Sequence, residues 1–112
     1  MGSDLLAERA RIVDLLSIYG KLLTPKQRDV ASAYYLYDLS LSEIAEEHGI
    51  SRAGVSDALS KAVEHLERYE SALELLRKNE SLKRELDRIA KLPLNEKLAA
   101  FETLGKELEN GI

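Results

Sequence analysis

The sequence predicts an all-α protein, and three observations lead to that prediction. Apolar residues recur at three- and four-residue spacing along most of the chain, which is the period of one helix face. The chain has only two prolines and lacks the alternating Val/Ile-rich runs that are typical of strands. Residues 39–61 also place small and apolar side chains where a helix-turn-helix needs them. We therefore expect a helix-turn-helix core at residues 1–65 and a helical tail at residues 66–112.

The first two helices are bounded by residues that stop and start helices. The first is expected over residues 4–19, and Gly20 ends it. Thr24 precedes a proline and Gln27 lies three residues later, a pattern typical of an N-cap with a capping box. The second helix should reach about Tyr37. The residues expected on the inner faces of these helices are Leu5, Ile12, Leu15, Leu16, Tyr19, Val30, Ala33, Tyr34 and Tyr37.

The third and fourth helices make up the helix-turn-helix. Ala45 lies where the two helices would cross and only a small side chain fits. Gly49 falls in the turn, where a left-handed backbone favours glycine. Ser42 can cap the short third helix and Ser51 the fourth. The side chains expected to fill the wedge between the helices are Ile44, Ile50, Val55, Ala58 and Leu59.

The fourth helix has no obvious stop and continues into a seam of apolar residues. The seam comprises Leu66, Tyr69, Leu73 and Leu76. Because three short helices offer little surface to cover it, we predict that it pairs with a second copy of the chain in a homodimer. Asn79–Ser81 interrupts the pattern, and Ser81 could cap a further helix that ends at Leu92. Asn95 then has the features of a cap for the last helix.

Composition excludes several classes of protein. The chain contains no cysteine, so disulfides and thiol chemistry are excluded, and a cytoplasmic location is expected. Its longest uncharged run, Val30–Tyr37, is too short to cross a membrane. His48 and His65 lack metal-ligand spacing, and no phosphate loop or Ser-His arrangement stands out. We expect neither an enzyme nor a bound cofactor or metal.

The helix-turn-helix region is one candidate for contact with DNA. The residues that could make this contact are Ser51, Arg52, Ser56, Ser60 and Lys61 on the fourth helix, with Lys26 and Arg28 at the start of the second. Arg52 could bind guanine O6 and N7, and serines near the helix N-terminus could meet phosphates. Asp57 on the same face would repel the DNA backbone. Residues 24–62 hold four basic and six acidic residues, so a solvated, ion-paired face is the alternative.

A second basic group lies in the tail. Residues 77–91 hold six basic and three acidic residues, although the whole chain has a net charge of −4. The basic residues, which could contact the phosphates of a structured RNA, are Arg77, Lys78, Lys83, Arg84, Arg88 and Lys91. Glu80, Glu85 and Asp87 interleave with them. This mixture favours the alternative of an exposed helix with ion pairs.

Several short motifs occur together along residues 12–70. They are Tyr19-Gly20, Leu22-Leu23-Thr24, Tyr34-Tyr35, Asp38, Val55, Asp57-Ala58 and Glu67-Arg68-Tyr69-Glu70. In this combination the chain resembles the YlxM (p13-like) family of small bacterial helix-turn-helix proteins. The stretches LTPKQRDV and LSLSEIAEEHGIS are also similar to region 4 of sigma factors. The resemblance implies a sigma-region-4-like helical core, a cytoplasmic dimer, no enzyme activity and no cofactor.

The fourth helix departs from the pattern usual in that family. Ala53 stands where relatives usually carry an amide that could read adenine, and Ser56 stands where they carry an aromatic ring. Gly54 lowers the stability of the helix by about 1 kcal/mol relative to alanine. These departures weaken the case for base reading by this chain.

Three functions follow as expectations. The first is a nucleic-acid-associated accessory or regulatory protein of the signal recognition particle pathway, with the particle's RNA, its proteins or DNA as partners. The pathway is implied by the resemblance alone. The second is a sigma-region-4-like, DNA-binding transcriptional regulator that contacts the major groove through Arg52 and its neighbours. The third is a protein-interaction module without nucleic-acid binding, whose acidic front binds a basic partner.

Overall fold

The computed structural model describes residues 2–111, which form helices joined by short turns. The six α-helices of this range are α1 Gly2–Tyr19, α2 Pro25–Tyr35, α3 Leu41–His48, α4 Arg52–Leu73, α5 Leu75–Ala90 and α6 Leu94–Glu109. A short 3-10 helix, Gly20–Leu22, follows α1. No strand occurs within residues 2–111, and the predicted all-α fold is confirmed.

The chain divides into two compact units, the first ending at Leu76 and the second beginning at Arg77. In the first unit α4 is central, because α1, α2 and α3 all pack against it. The fully buried large side chains of this unit are Leu15, Tyr19, Ile44, Leu66, Val30 and Val55. Residues 66–76, which the sequence assigned to the tail, lie in the first unit. Contacts from α1 to this end of α4 explain the placement.

Capping boxes start two of the helices, one at the predicted position and the other two residues before the predicted cap. The Thr24 hydroxyl accepts from the Gln27 backbone N–H at 3.2 Å, while Oε1 of the Gln27 side chain accepts from the Thr24 backbone N–H at 3.3 Å, as predicted. The prediction that Ser42 caps α3 was wrong, because Ser40 is the N-cap. Ser40 stands three residues before Glu43, so both hydrogen bonds of a capping box form there.

Two side chains expected on inner faces are exposed instead. Leu5 near the start of α1 is 68% exposed, and Tyr37 is 71% exposed. Tyr37 lies outside α2 because the helix ends earlier than predicted and the chain turns at Asp38, which has a φ of 56°. Arg9 holds this turn by donating hydrogen bonds to the Asp38 carboxylate and, at 2.6 Å, to a backbone carbonyl of α2.

The break between α4 and α5 also differs from the one predicted. Glu74 adopts a left-handed conformation with a φ of 54°, and α5 begins at Leu75. The predicted interruption at Asn79–Ser81 is wrong, because these residues lie within α5. Asn95, expected as the cap of the last helix, lies in the first turn of α6, whose N-terminus has no side-chain cap.

A buried carboxylate explains the position of that break. Glu70 is only 7% exposed, and its Oε1 accepts a hydrogen bond from the Tyr19 hydroxyl at 2.7 Å. The same oxygen accepts from the Leu76 N–H at 3.0 Å, while the Leu75 N–H donates to the Tyr19 hydroxyl oxygen at 3.1 Å. The first N–H groups of a helix have no partner within the helix. Tyr19 and Glu70 supply those partners for α5 and join α1 to the end of α4.

Replacing Glu70 with alanine should destabilise the first unit. Glu70→Ala leaves the Tyr19 hydroxyl and the Leu76 N–H without their acceptor, so we expect the free energy of unfolding to fall by about 2 kcal/mol. Urea unfolding followed by circular dichroism measures this loss. The matched control is Glu64→Ala on the same helix, an exposed side chain paired with Arg68, for which we expect a loss below about 0.5 kcal/mol. Equal losses in the two variants would contradict the role given to Glu70.

Stability should also fall at alkaline pH because of Tyr19. Burial, with the hydrogen bond to Glu70, raises the pKa of Tyr19 above its ordinary value of 10.0. A raised pKa in the folded state means that the stabilisation is complete below about pH 10 and is lost as the pH rises through the folded pKa. Tyr19→Phe should therefore reduce the dependence of unfolding free energy on pH above 10. An unchanged alkaline slope in the variant would disprove this assignment.

Candidate nucleic-acid interface

The helix-turn-helix consists of α3, a tight turn and the first half of α4. Gly49 ends α3 with a φ of 64°, the left-handed turn that the sequence predicted. Ser51 is the N-cap of α4, as predicted, and its hydroxyl accepts from the Gly54 N–H at 2.9 Å. A Cβ at Gly54 would stand 3.2 Å from the Ser51 hydroxyl oxygen, tighter than ordinary contact. A side chain at position 54 would therefore require the Ser51 hydroxyl to shift by a few tenths of an ångström.

The buried side of α4 fixes which side chains point outward. Buried side chains of α4, which include Val55, Ala58, Leu59, Ala62 and Leu66, fall on one face. At about 3.6 residues per turn, the opposite face is centred on Ala53, Asp57, Ser60 and Glu64, all exposed. Arg52 and Lys61 lie at the edges of this face. The side chains at the centre of the outward face are therefore either small or acidic, and the cations lie at its edges.

The predicted contact residues of α4 differ in whether they form ion pairs. Lys61 Nζ lies 3.1 Å from a carboxylate oxygen of Asp57, one helical turn earlier. Arg52 is exposed and makes no ion pair with any residue between positions 2 and 111. Ser56 and Ser60 are exposed on the same side of the helix. Arg52 is thus the cation of α4 that is most available to a ligand.

Two further predicted contact residues lie at the start of α2. Lys26 and Arg28 are both exposed, and neither forms an ion pair within the described part of the chain. Arg28 borders two open grooves of about 580 and 600 Å³, one beside Tyr37 and His48 and the other beside Leu36. Both charged and apolar residues line the grooves. They offer no enclosed site for a small molecule.

The basic residues of the tail are arranged on α5 and the turn after it. Arg77, Arg84 and Arg88 follow one another at spacings of seven and four residues on α5, so they share one stripe, and Lys91 follows in the turn after the helix. All four are exposed, and Lys78 and Lys83 lie outside the stripe. Glu85 flanks the stripe and accepts from Arg88 Nε at 3.2 Å. This hydrogen bond lowers the pKa of Glu85 and raises that of Arg88.

Three of the four residues predicted as a dimer seam are packed within one chain. Leu66 and Leu76 are buried in the core of the first unit, and Tyr69 packs against that core. The Tyr69 hydroxyl donates to the Leu22 carbonyl oxygen at 3.2 Å. Leu73 alone of the four is largely exposed, at 47%. Because these three side chains are covered within one chain, their burial does not require a second copy of the protein. The homodimer remains a prediction.

Two arginines of α1 make long-range contacts that no sequence motif indicates. The Arg9 guanidinium lies 5.3 and 5.5 Å from the ring centroids of Tyr34 and Tyr35. Arg11 donates two hydrogen bonds of 2.8 Å to Glu67, and the pKa of Glu67 is lowered by them. These contacts join helices that are far apart in sequence. Only the three-dimensional structure brings such pairs together.

The described residues show neither a metal-binding cluster nor a membrane-spanning helix. Between positions 2 and 111, no group of three or more His, Cys, Asp or Glu side chains is placed to hold a metal ion. None of the helices described above is both long enough and apolar enough to span a membrane.

Comparisons with known proteins place the chain in a family. The model of the UPF0122 family, helix-turn-helix proteins described as YlxM / p13 like, matches residues 6–106. A UPF0122 protein of Caldanaerobacter subterraneus is 47% identical over 75 residues, or 67% of this chain and 64% of that protein. This chain thus spans slightly less than two thirds of that relative's own length. A UPF0122 protein of Exiguobacterium sibiricum is 44% identical over 94 residues, or 80% of this chain and 89% of that protein.

A third relative agrees with these two. A UPF0122 protein of Geobacillus kaustophilus is 42% identical over 85 residues, which is 76% of this chain and 77% of that protein. The family model covers both the helix-turn-helix unit and most of α5 and α6. With this coverage and the helix-turn-helix seen in the structure, the chain belongs to the UPF0122 family of YlxM / p13-like helix-turn-helix proteins.

Proposed function

We propose that this protein is a regulatory protein that binds nucleic acid, and that its target is the structured RNA of the signal recognition particle. The observation that carries the proposal is the basic stripe of α5, defined as Arg77, Arg84, Arg88 and Lys91. The pathway is supported by the resemblance to the YlxM family alone. We place the protein in the cytoplasm, where it would meet the particle and its proteins.

The shape and charge of the stripe suit a phosphate backbone. At about 1.5 Å per residue, the helical part of the stripe, from Arg77 to Arg88, extends about 16 Å along the helix axis. Residues 77–91 hold six basic and three acidic residues, whereas residues 24–62 hold four and six. Within the described residues, Arg84 and Lys91 form no ion pair, so both are available to phosphates. Double-stranded RNA is recognised mainly through its shape and its phosphates, and an exposed basic helix can supply such contacts.

The outward face of the helix-turn-helix is less suited to a duplex. Asp57 and Glu64 lie near its centre and would approach the phosphates of a DNA major groove. Ala53 and Ser60, the other residues of that centre, have short side chains and few donors for base edges. This unit is therefore proposed as the scaffold of the protein, with RNA contact made by α5.

A second candidate function is DNA binding of the sigma-region-4 type. The observation that favours it is Arg52, which is exposed near the N-terminus of α4 without an ion pair in residues 2–111. An arginine there can bind guanine O6 and N7 while the helix N-terminus meets a phosphate. Lys26 and Arg28 would add backbone contacts from α2. A protein-interaction module remains the alternative if neither nucleic acid binds.

Removing two charges from the basic stripe should weaken binding to the particle's RNA. For Arg84→Gln with Arg88→Gln, we expect the slope of log affinity against log salt to become shallower by about 1.5, because two phosphate contacts are lost. Fluorescence anisotropy at several salt concentrations measures the slope. The matched control is Lys97→Gln with Lys106→Gln on α6, which removes the same charge away from the stripe. Equal slopes for both double variants would contradict the assignment to α5.

Replacing Arg52 distinguishes the second candidate from the first. If the protein reads DNA, Arg52→Ala should lower affinity for its preferred duplex by about tenfold to a hundredfold and relax its base preference. Arg68→Ala on the same helix, where Arg68 pairs with Glu64 at 2.8 Å, is the control. If RNA is the target, Arg52→Ala should leave RNA affinity close to that of the unchanged protein. Competition binding against a pool of duplexes gives both results.

A further inference from the structure

Two open grooves of the first unit meet at α2 and differ in their charge. Arg28 and Ser32, which are one helical turn apart, line both grooves. The groove of about 580 Å³, called the Tyr37 groove below, is also lined by Asp29, Tyr37, Glu47 and His48. The groove of about 600 Å³, called the Lys21 groove below, is otherwise lined by Lys21 and mainly apolar residues. An aromatic ring and two carboxylates therefore lie in one groove, whereas the charged residues found to line the other are cations.

Tyr37 exposes its side chain from a turn whose backbone is already held in place. The residue is 71% exposed, yet its backbone N–H donates to the Ser32 carbonyl oxygen at 3.1 Å. The next residue, Asp38, accepts a hydrogen bond from Arg9 of α1. A base that stacks on this ring would therefore order little additional backbone, which lowers the entropic cost of binding.

The charges of the two grooves are distributed as the parts of a nucleotide require. Lys21 and Arg28 are exposed and form no ion pair within residues 2–111, and the same is true of Asp29 and Glu47. The two carboxylates repel a phosphate but can accept hydrogen bonds from the N–H groups of a base. The two cations attract a phosphate. A base is therefore suited to the Tyr37 groove and its neighbouring phosphate to the Lys21 groove.

We propose that the Tyr37 groove binds one unpaired guanine base of a nucleic-acid strand. The base stacks on the ring of Tyr37, and the Glu47 carboxylate accepts hydrogen bonds from N1–H and N2–H of guanine. Among the four RNA bases, guanine alone presents two adjacent donors on its Watson–Crick edge, whereas uracil presents one N–H between two carbonyl oxygens that a carboxylate repels. Stacking on aromatic rings and hydrogen bonds to this edge are the usual means by which proteins recognise unpaired RNA bases.

The open shape of the Tyr37 groove favours a base within a strand over a free nucleotide. Sites for free small molecules bury most of their ligand, whereas this groove leaves the sugar and phosphates of a bound base in solvent. The Lys21 groove adjoins it at Arg28 and extends the contact to the flanking phosphate. The site uses neither the outward face of α4 nor the basic stripe of α5, so it shares with the proposed function only its class of ligand.

Titration of the isotope-labelled full chain with the single-stranded ribonucleotides UUGUU and UUUUU, followed by two-dimensional NMR, tests the proposal. The two strands carry the same charge, so attraction to the basic stripe of α5 contributes equally to both. We expect UUGUU to bind about tenfold more tightly because of the two hydrogen bonds to Glu47, and to shift the amide signals of Tyr37 and Glu47. Equal affinity for the two strands, or guanosine monophosphate binding as tightly as UUGUU, would overturn the proposal.

Variants of two exposed residues assign the contacts within the groove. Tyr37→Ala should weaken the binding of UUGUU at least about fivefold because stacking is lost, whereas Tyr37→Phe keeps the ring and should bind like the unchanged protein. Glu47→Gln leaves one acceptor oxygen and should reduce the preference for UUGUU to about twofold or less. The matched control is Glu46→Gln, which removes the same charge from an exposed residue of α3 outside the groove and should keep the full preference.

Either of two results with these variants would also overturn the proposal. One is an unchanged preference for UUGUU in Glu47→Gln, and the other is an unchanged affinity in Tyr37→Ala. Because these strands are too short to form a structured RNA, a failure of the signal recognition particle RNA to bind would leave the comparison between UUGUU and UUUUU unaffected.

Discussion

The hydrogen bonds around the Glu70 carboxylate fix where the first unit ends and where α5 begins. One oxygen of this buried side chain accepts from the hydroxyl of Tyr19 and from the backbone of Leu76. The end of α1 is thereby joined to the end of α4, and the first N–H groups of α5 find acceptors. Arg84 and Arg88 share one stripe of α5 because four residues separate them within one helix, whichever residue begins it.

The residues that build the fold of this protein differ from those that are candidates for binding nucleic acid. The helix-turn-helix is built by α3, the Gly49 turn and the buried face of α4, and none of these features involves the outward face of α4. The outward face of α4 then carries Asp57 and Glu64 where a DNA reader would be expected to carry donors. A helix-turn-helix can therefore be retained as a scaffold while contact with nucleic acid is made elsewhere.

The features that could be predicted from the sequence are those that depend on neighbours in the chain. The capping box at Thr24, the left-handed turn at Gly49 and the cap at Ser51 follow from residue type and spacing. The end of α4 could not be predicted, because it depends on Tyr19, a residue about 50 positions away from Glu70. The seam was likewise assigned to a second copy because nothing in its spacing shows that α1 covers it. The charged stripe on α5 can be predicted from the spacing of its residues. The ligand that binds it cannot be predicted from that spacing.

Binding by the unchanged protein is the most direct test of RNA recognition. Fluorescence anisotropy should be recorded for the signal recognition particle RNA and for a duplex DNA of equal length and charge, each in competition with the other. We expect preference for the RNA, with affinity that falls as salt is raised. Preference for the duplex, or binding to neither, would contradict the central claim and direct attention to Arg52 or to a protein partner.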